Sequence, residues 1–234
     1  LDGTQGVDVI SPAGAKLASL PSVAETPPQI PRVELVRTGG EHSFYAAIIR
    51  PQNFSAGKKY PVLLQVYAGP QTTTVTSAAS SYFIDQWRAD QGYIVARLDG
   101  RGTTLRGRDW QRLMRGNFIE TALTDQVAGL QALGAKYPEM DLTRVGVTGW
   151  SFGGYFSAMA MIRRPDVFKC GVVGAPVITW ENYDTYYTER YMGLPQENPD
   201  GYRASSVLTY ASQLARPLLL IHGLTDDNVY FQHA

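Results

Sequence analysis

Apolar residues in this chain gather into short runs of strand length, with stretches of helical spacing between them. Residues 62–67, 93–98, 144–148, 170–173 and 218–222 are such runs, apolar or β-branched for most of their length. Residues 82–91, 120–136 and 155–164 carry the helical pattern, and Pro165 ends the last of them. In the second, Leu123, Val127, Leu130 and Leu133 share one helical face, which reads as a core stripe rather than a binding face. Strands that are apolar throughout predict burial on both faces. Their alternation with helices predicts a mostly parallel sheet covered on each side. Upstream the pattern changes: residues 33–37 and 44–50 read as two strands of a hairpin, joined by a Gly39-Gly40 turn. Residues 1–31 are rich in Pro, Gly, Ser and Ala. They read as a linker or the end of a preceding module, without a core of their own.

With 234 residues, the chain is long enough for one large α/β core. Its 21 basic and 21 acidic residues cancel, which argues against a nucleic-acid partner or an anionic membrane surface. Cys170 is the single cysteine, so neither an intrachain disulfide nor a thiolate metal cluster is expected. No cofactor or metal is called for. Within its apolar run Cys170 reads as a small buried hydrophobe. The first residues, Leu1-Asp2-Gly3, show neither an initiator Met nor a signal peptide, and a start in mid-gene is the expectation.

The chemistry centres on Gly149-Trp150-Ser151-Phe152-Gly153. A strand before it and a helix after it make this the pattern of a nucleophile elbow, with Ser151 as nucleophile. Gly149, Gly153 and Gly154 supply the small residues that a strained turn packed against a helix needs. A serine nucleophile requires a base to take its proton and a carboxylate to orient that base. In the α/β-hydrolase arrangement the acid follows the serine along the chain, and the histidine follows the acid. The run 218–222 ends in a polar loop, His222-Gly223-Leu224-Thr225-Asp226-Asp227-Asn228-Val229. Asp226 is the candidate acid; the alternative for it is an ordinary loop or helix-capping role.

Four blocks carry a resemblance. They are residues 60–70 (YPVLLQVYAGP), residues 149–155 (GWSFGGY), residues 188–195 (TERYMGLP), and His222-Gly223 with residues 226–229 (DDNV). From about residue 32 to the end the chain resembles the catalytic domain of the prolyl oligopeptidase family, in its dipeptidyl peptidase IV branch. The resemblance implies an α/β-hydrolase fold and a serine peptidase that cleaves after Pro or Ala, releases N-terminal dipeptides and forms an acyl-enzyme at Ser151. It implies that Asp226 orients the base, and that the Phe152 N–H and the Tyr67 hydroxyl hold the oxyanion. Asn228 would bond a substrate carbonyl. Val177, Trp180, Tyr183, Tyr187 and Val229, with Phe152 a further candidate, would line a proline pocket, although each alone reads equally as core packing.

The family places its catalytic histidine some tens of residues beyond the acid. His42, His222 and His233 are the three available, and none fits that position. The expectation is therefore a domain cut before its base, preceded in the parent by a β-propeller. Peptide substrate is the expected partner. The resemblance leaves a homodimer open for the full-length parent and favours a periplasmic, secreted or membrane-anchored one. The competing readings are an acylaminoacyl- or prolyl endopeptidase of the same family and a noncatalytic interaction protein of the same fold. An esterase would carry a His-Gly-Gly loop where Tyr67-Ala68-Gly69-Pro70 stands.

Overall fold

The computed structural model describes residues 6–25, 27–39 and 42–234. A hairpin of β1 (Val7–Ile10) and β2 (Lys16–Leu20) comes first and forms its own two-stranded sheet. The main sheet has seven strands: β3 (Val33–Thr38), β4 (Phe44–Ile49), β5 (Tyr60–Val66), β6 (Ile94–Asp99), β7 (Met140–Trp150), β8 (Phe168–Gly174) and β9 (Leu218–Ile221). Their spatial order is β3-β4-β6-β5-β7-β8-β9. β3 and β4 pair antiparallel to each other, and β4 pairs antiparallel to β6. Pairing from β6 through β9 is parallel throughout. The expected hairpin and mostly parallel sheet are thus present. Of the turn between β3 and β4, Gly39 has φ 92°, and Gly40 lies outside the described residues.

Among the described residues six α-helices connect the strands: α1 (Phe83–Asp90), α2 (Arg108–Arg112), α3 (Glu120–Lys136), α4 (Phe152–Arg163), α5 (Thr185–Met192) and α6 (Pro199–Ser205). Alternate residues of β4 explain the layering. Ala46 and Ile48 join the large core under α3 and α4, whereas Ala47 and Ile49 join a smaller one with Tyr82 and Ala89 at α1. The Leu123, Val127, Leu130 and Leu133 stripe of α3 is buried in the large core. Local chemistry sets the helix ends. Asn117 Oδ1 accepts the Ile119 and Glu120 N–H groups at 2.9 Å at the start of α3. Glu120 in the first turn and Lys136 in the last complement the helix dipole. Asp184 caps α5 and Asn198 caps α6, each accepting an N–H at 3.1 Å.

Residues 7–20 form a hairpin whose strand residues are all exposed, so this stretch contributes nothing to the core. Two expectations need correction. Cys170 is exposed, not buried. β8 and β9 are not covered on both faces: α4 packs against β8 from one side, Cys170, Val172, Leu219, Leu220 and Ile221 are exposed, and β9 forms the edge of the sheet. No described helix is long and apolar enough to cross a membrane.

Candidate active site

The carboxyl ends of β5, β7, β8 and β9 meet on one edge of the sheet. Val66 pairs with Gly149, and Trp150, Gly174 and Ile221 follow in one row across three strands. The residues that come next are therefore neighbours: Tyr67 and Ala68 after β5, Ser151 after β7, Ala175 after β8 and the loop 222–229 after β9. Backbone strain gathers on the same edge. Ala68 and Ser151 both have φ 58°, Ala175 has φ 38° and Gln71 has φ 67°, all in the left-handed region that side chains avoid.

Close packing holds Ser151 in that conformation. Its N–H donates to the Gly174 carbonyl at 2.9 Å, and its carbonyl accepts from Tyr155 at 2.9 Å in the first turn of α4. A Cβ on Gly149 would lie 2.6 Å from the Val66 carbonyl, one on Gly153 would collide with the same oxygen, and one on Gly154 would collide with the Gly174 carbonyl. The three glycines thus let the start of α4 rest against β5 and β8, as the elbow pattern anticipates. Ser151 stands at the N-cap of α4 but makes no capping bond with its hydroxyl. Phe152 opens the helix, where N–H groups have no intrahelical acceptor.

Tyr67 is half-buried, near the Ser151 and Thr72 side chains. Burial pushes its pKa up, against a smaller lowering by those two neighbours, so it remains a protonated donor at neutral pH. Gly69 lets this turn close: a Cβ there would sit 2.6 Å from the Phe152 ring.

Asp226 accepts the N–H groups of Asn228 and Val229 through one oxygen, each at 3.0 Å. These bonds hold its carboxyl below the usual carboxylate range. The loop closes on itself, because His222 Nε2 donates to the Val229 carbonyl at 2.7 Å. The Tyr183 hydroxyl donates to Asn228 Oδ1 at 3.0 Å and ties this loop to the segment leading into α5.

Phe152, Val177, Trp180 and Val229 are buried, while Tyr183 and Tyr187 are half-buried. The rings form one continuous cluster. Trp180 lies 5.5 Å from Phe152, 5.8 Å from Tyr183 and 6.2 Å from Tyr187, centroid to centroid. Phe118, Tyr155 and Tyr191 belong to the same cluster and were missed from sequence. Phe118 sits 4.4 Å from Trp180, Tyr155 sits 5.0 Å from it, and Tyr191 sits 5.2 Å from Tyr187. Tyr155 and Tyr191 stood in the 149–155 and 188–195 blocks without a pocket role. Phe118 lies in the connection between α2 and α3, whose letters carry no pocket signal.

None of the histidines is placed beside Ser151 by its bonds. His42 lies in the connection between β3 and β4, on the far edge of the sheet. His222 is engaged with Val229, its Nε2 3.6 Å from Asp226. His233 accepts the Ile178 N–H through Nδ1 at 3.1 Å and faces the Asn182 carbonyl through Nε2 at 3.4 Å. Among the described residues no group of three or more His, Cys, Asp or Glu could hold a metal.

The family model for the prolyl oligopeptidase family matches residues 79–234. Dipeptidyl peptidase 8 from Homo sapiens is 42% identical over 213 residues, covering 89% of this chain and 23% of that protein. Prolyl endopeptidase FAP from Mus musculus is 37% identical over 214 residues, 88% of this chain and 28% of that protein. The crystal structure of dipeptidyl peptidase 4 from Porphyromonas gingivalis superposes with a TM-score of 0.87 at 34% identity, over 97% of this chain and 33% of that one. The chain thus spans about a quarter of the length of these curated relatives.

Proposed function

Because the chain belongs to the prolyl oligopeptidase family, we propose that it is the catalytic part of a serine peptidase that cleaves after Pro or Ala and releases N-terminal dipeptides. The observation that carries this reading is the strained Ser151 turn at the end of β7, with Tyr67 following the neighbouring strand β5 on the same edge of the sheet. In the proposed reaction the Ser151 hydroxyl gives its proton to a base as its oxygen attacks the carbonyl carbon. The Phe152 N–H and the Tyr67 hydroxyl hold the oxyanion of the tetrahedral intermediate. The protonated base then passes its proton to the leaving amine. Water, deprotonated by the same base, hydrolyses the ester on Ser151.

Asp226 is the proposed orienting acid. It follows β9, two strands from β7, hence about 10 Å across the sheet at ordinary strand spacing, which leaves room for an imidazole between acid and serine. None of the three histidines of this chain occupies that gap by its bonding. The base is accordingly proposed to come from polypeptide beyond residue 234, an arrangement consistent with relatives several times longer. Val177, Trp180, Tyr183, Tyr187 and Val229, with Phe152 beneath them, are proposed to take the pyrrolidine ring. An apolar ring without a donor suits this surface. Asn228, oriented by Tyr183, is proposed to bond the substrate carbonyl through its amide nitrogen.

The test uses the full-length protein that contains this chain. A fluorophosphonate probe should label it at Ser151, and kcat/KM on chromogenic dipeptides should fall in the order Gly-Pro, Ala-Ala, Gly-Lys. A preference for Gly-Lys overturns the pocket assignment. Retention of more than about a tenth of activity in Ser151→Ala overturns the nucleophile. For the base, residues 1–234 alone should label far more slowly than the longer protein. Equal labelling would place the base among His42, His222 and His233.

A further inference from the structure

Beside the proposed site lies a cavity of about 380 Å³ with a concentrated positive charge. Arg108 and Arg112 stand one turn apart on α2, Arg115 follows the helix, and Arg190 on α5 lines the same cavity, together with Gln71 and Tyr191. Among the described residues no carboxylate lines it, and none of these four arginines is in an ion pair. Asp109 and Glu189, their sequence neighbours, do not line it.

In a chain whose charges cancel, these four exposed guanidinium groups concentrate positive charge around one hollow with no carboxylate lining it, which favours the entry of an anion. The walls are held at a fixed spacing, because the Gly116 N–H, just after Arg115, donates to the Tyr191 carbonyl at 2.8 Å. The cavity adjoins the proposed reaction centre. Gln71, four residues after Tyr67, lines it together with Tyr191. The Tyr191 ring in turn lies 5.2 Å from Tyr187 of the proposed proline pocket. Guanidinium forks match carboxylates two bonds at a time, which a lone lysine cannot do.

We infer that this cavity is a substrate subsite for a carboxylate side chain, so that the enzyme favours peptides with Glu or Asp close to the scissile bond. The inference rests on the peptidase reading above and adds a second specificity to it. It is tested on the full-length protein with peptides of the form X-Pro-X-X-X, in which Glu or its neutral isostere Gln is placed at each X in turn. At one position Glu should raise kcat/KM over Gln by about fivefold or more, and the ratio should shrink as salt is raised from about 0.05 to 0.5 M. In Arg112→Glu and Arg190→Glu that ratio should fall below one, and Lys at the same position should become the preferred residue. Arg112→Lys should keep part of the preference.

A Glu-to-Gln ratio near one at every position, with the all-neutral peptide still cleaved, overturns the subsite and leaves the peptidase reading standing. Failure to cleave even the neutral Pro peptide removes both. If the charge reversals lower the melting temperature and leave the ratio untouched, the cavity binds an acidic segment of the same protein, and the inference is wrong.

Discussion

Ser151 illustrates how much one residue can be asked to carry. At φ 58° it costs of order 1–3 kcal/mol that a serine in ordinary helix or strand would not, and the bonds from Gly174 and Tyr155 hold it there. Ser151→Ala in the full-length protein should lower kcat by several orders of magnitude and change KM far less, measured under saturating substrate. Tyr67→Phe removes one donor and almost no volume. The expected loss is about 10²–10³ in kcat, and a loss below about threefold would mean that Tyr67 only packs. Asp226, held ionised by the Asn228 and Val229 N–H groups, stays charged as pH falls through the usual carboxylate range. The acid limb of the kcat/KM profile should therefore report the base and not Asp226, and Asp226→Asn should lower kcat without moving that limb to higher pH. Ser151, Tyr67 and Asp226 were all legible as letters in motifs. Phe118 was not, and Tyr191 stood in a motif without a role, since a ring acquires a place in the aromatic cluster only through what folds against it.

At the scale of elements, the strands and longer helices followed the hydrophobic pattern closely. The helical pattern over residues 120–136 coincides with α3, and the hairpin strands at 33–37 and 44–50 match β3 and β4 to within a residue. α2 and the hairpin β1–β2 escaped because they bury nothing: α2 has five residues without a buried position, and β1 and β2 are exposed along their length. Periodicity is a record of burial, so elements without burial leave little trace. The elbow depends on contact between elements. In Gly153→Ala the new methyl would meet the Val66 carbonyl and approach the Tyr67 Cα to 3.1 Å, so β5 and α4 must separate. The expected cost is about 1–3 kcal/mol, read as a lower midpoint in urea, with a further loss of activity as Tyr67 is displaced from Ser151. An unchanged midpoint with full activity would show that the two elements tolerate the shift.

Across the whole molecule, buried charge holds the loop after β6 to α3. Asp125 is 2% exposed and accepts the Arg101 N–H at 2.7 Å as well as its guanidinium at 2.6 Å. Asp125→Ala removes the buried acceptor of three Arg101 donors, and a loss of about 1–3 kcal/mol in unfolding free energy is expected by chemical denaturation. His233 adds a pH dependence. Burial lowers its pKa from 6.5, so the unfolded chain binds the proton more readily, and stability present above about pH 6.5 is lost as pH falls below it. The drop in melting temperature from pH 7.5 to 5.5 should be smaller in His233→Gln. Expressed alone, residues 1–234 leave Leu219 57% and Ile221 42% exposed on the β9 edge of the sheet, so self-association visible by light scattering is expected, and Leu219→Lys should reduce it. Sequence alone determined the fold class and the elbow turn at Ser151, and it singled out Asp226 as the candidate acid, because apolar periodicity and short motifs are local and survive in the order of residues. It misjudged Cys170 and the burial of β8 and β9, since an apolar strand reads the same whether or not anything covers it. The tertiary structure alone decided which rings share the pocket wall, which bonds occupy each histidine, and that four arginines from separate segments converge on one cavity. Those properties belong to distances between parts of the chain that the order of residues does not contain.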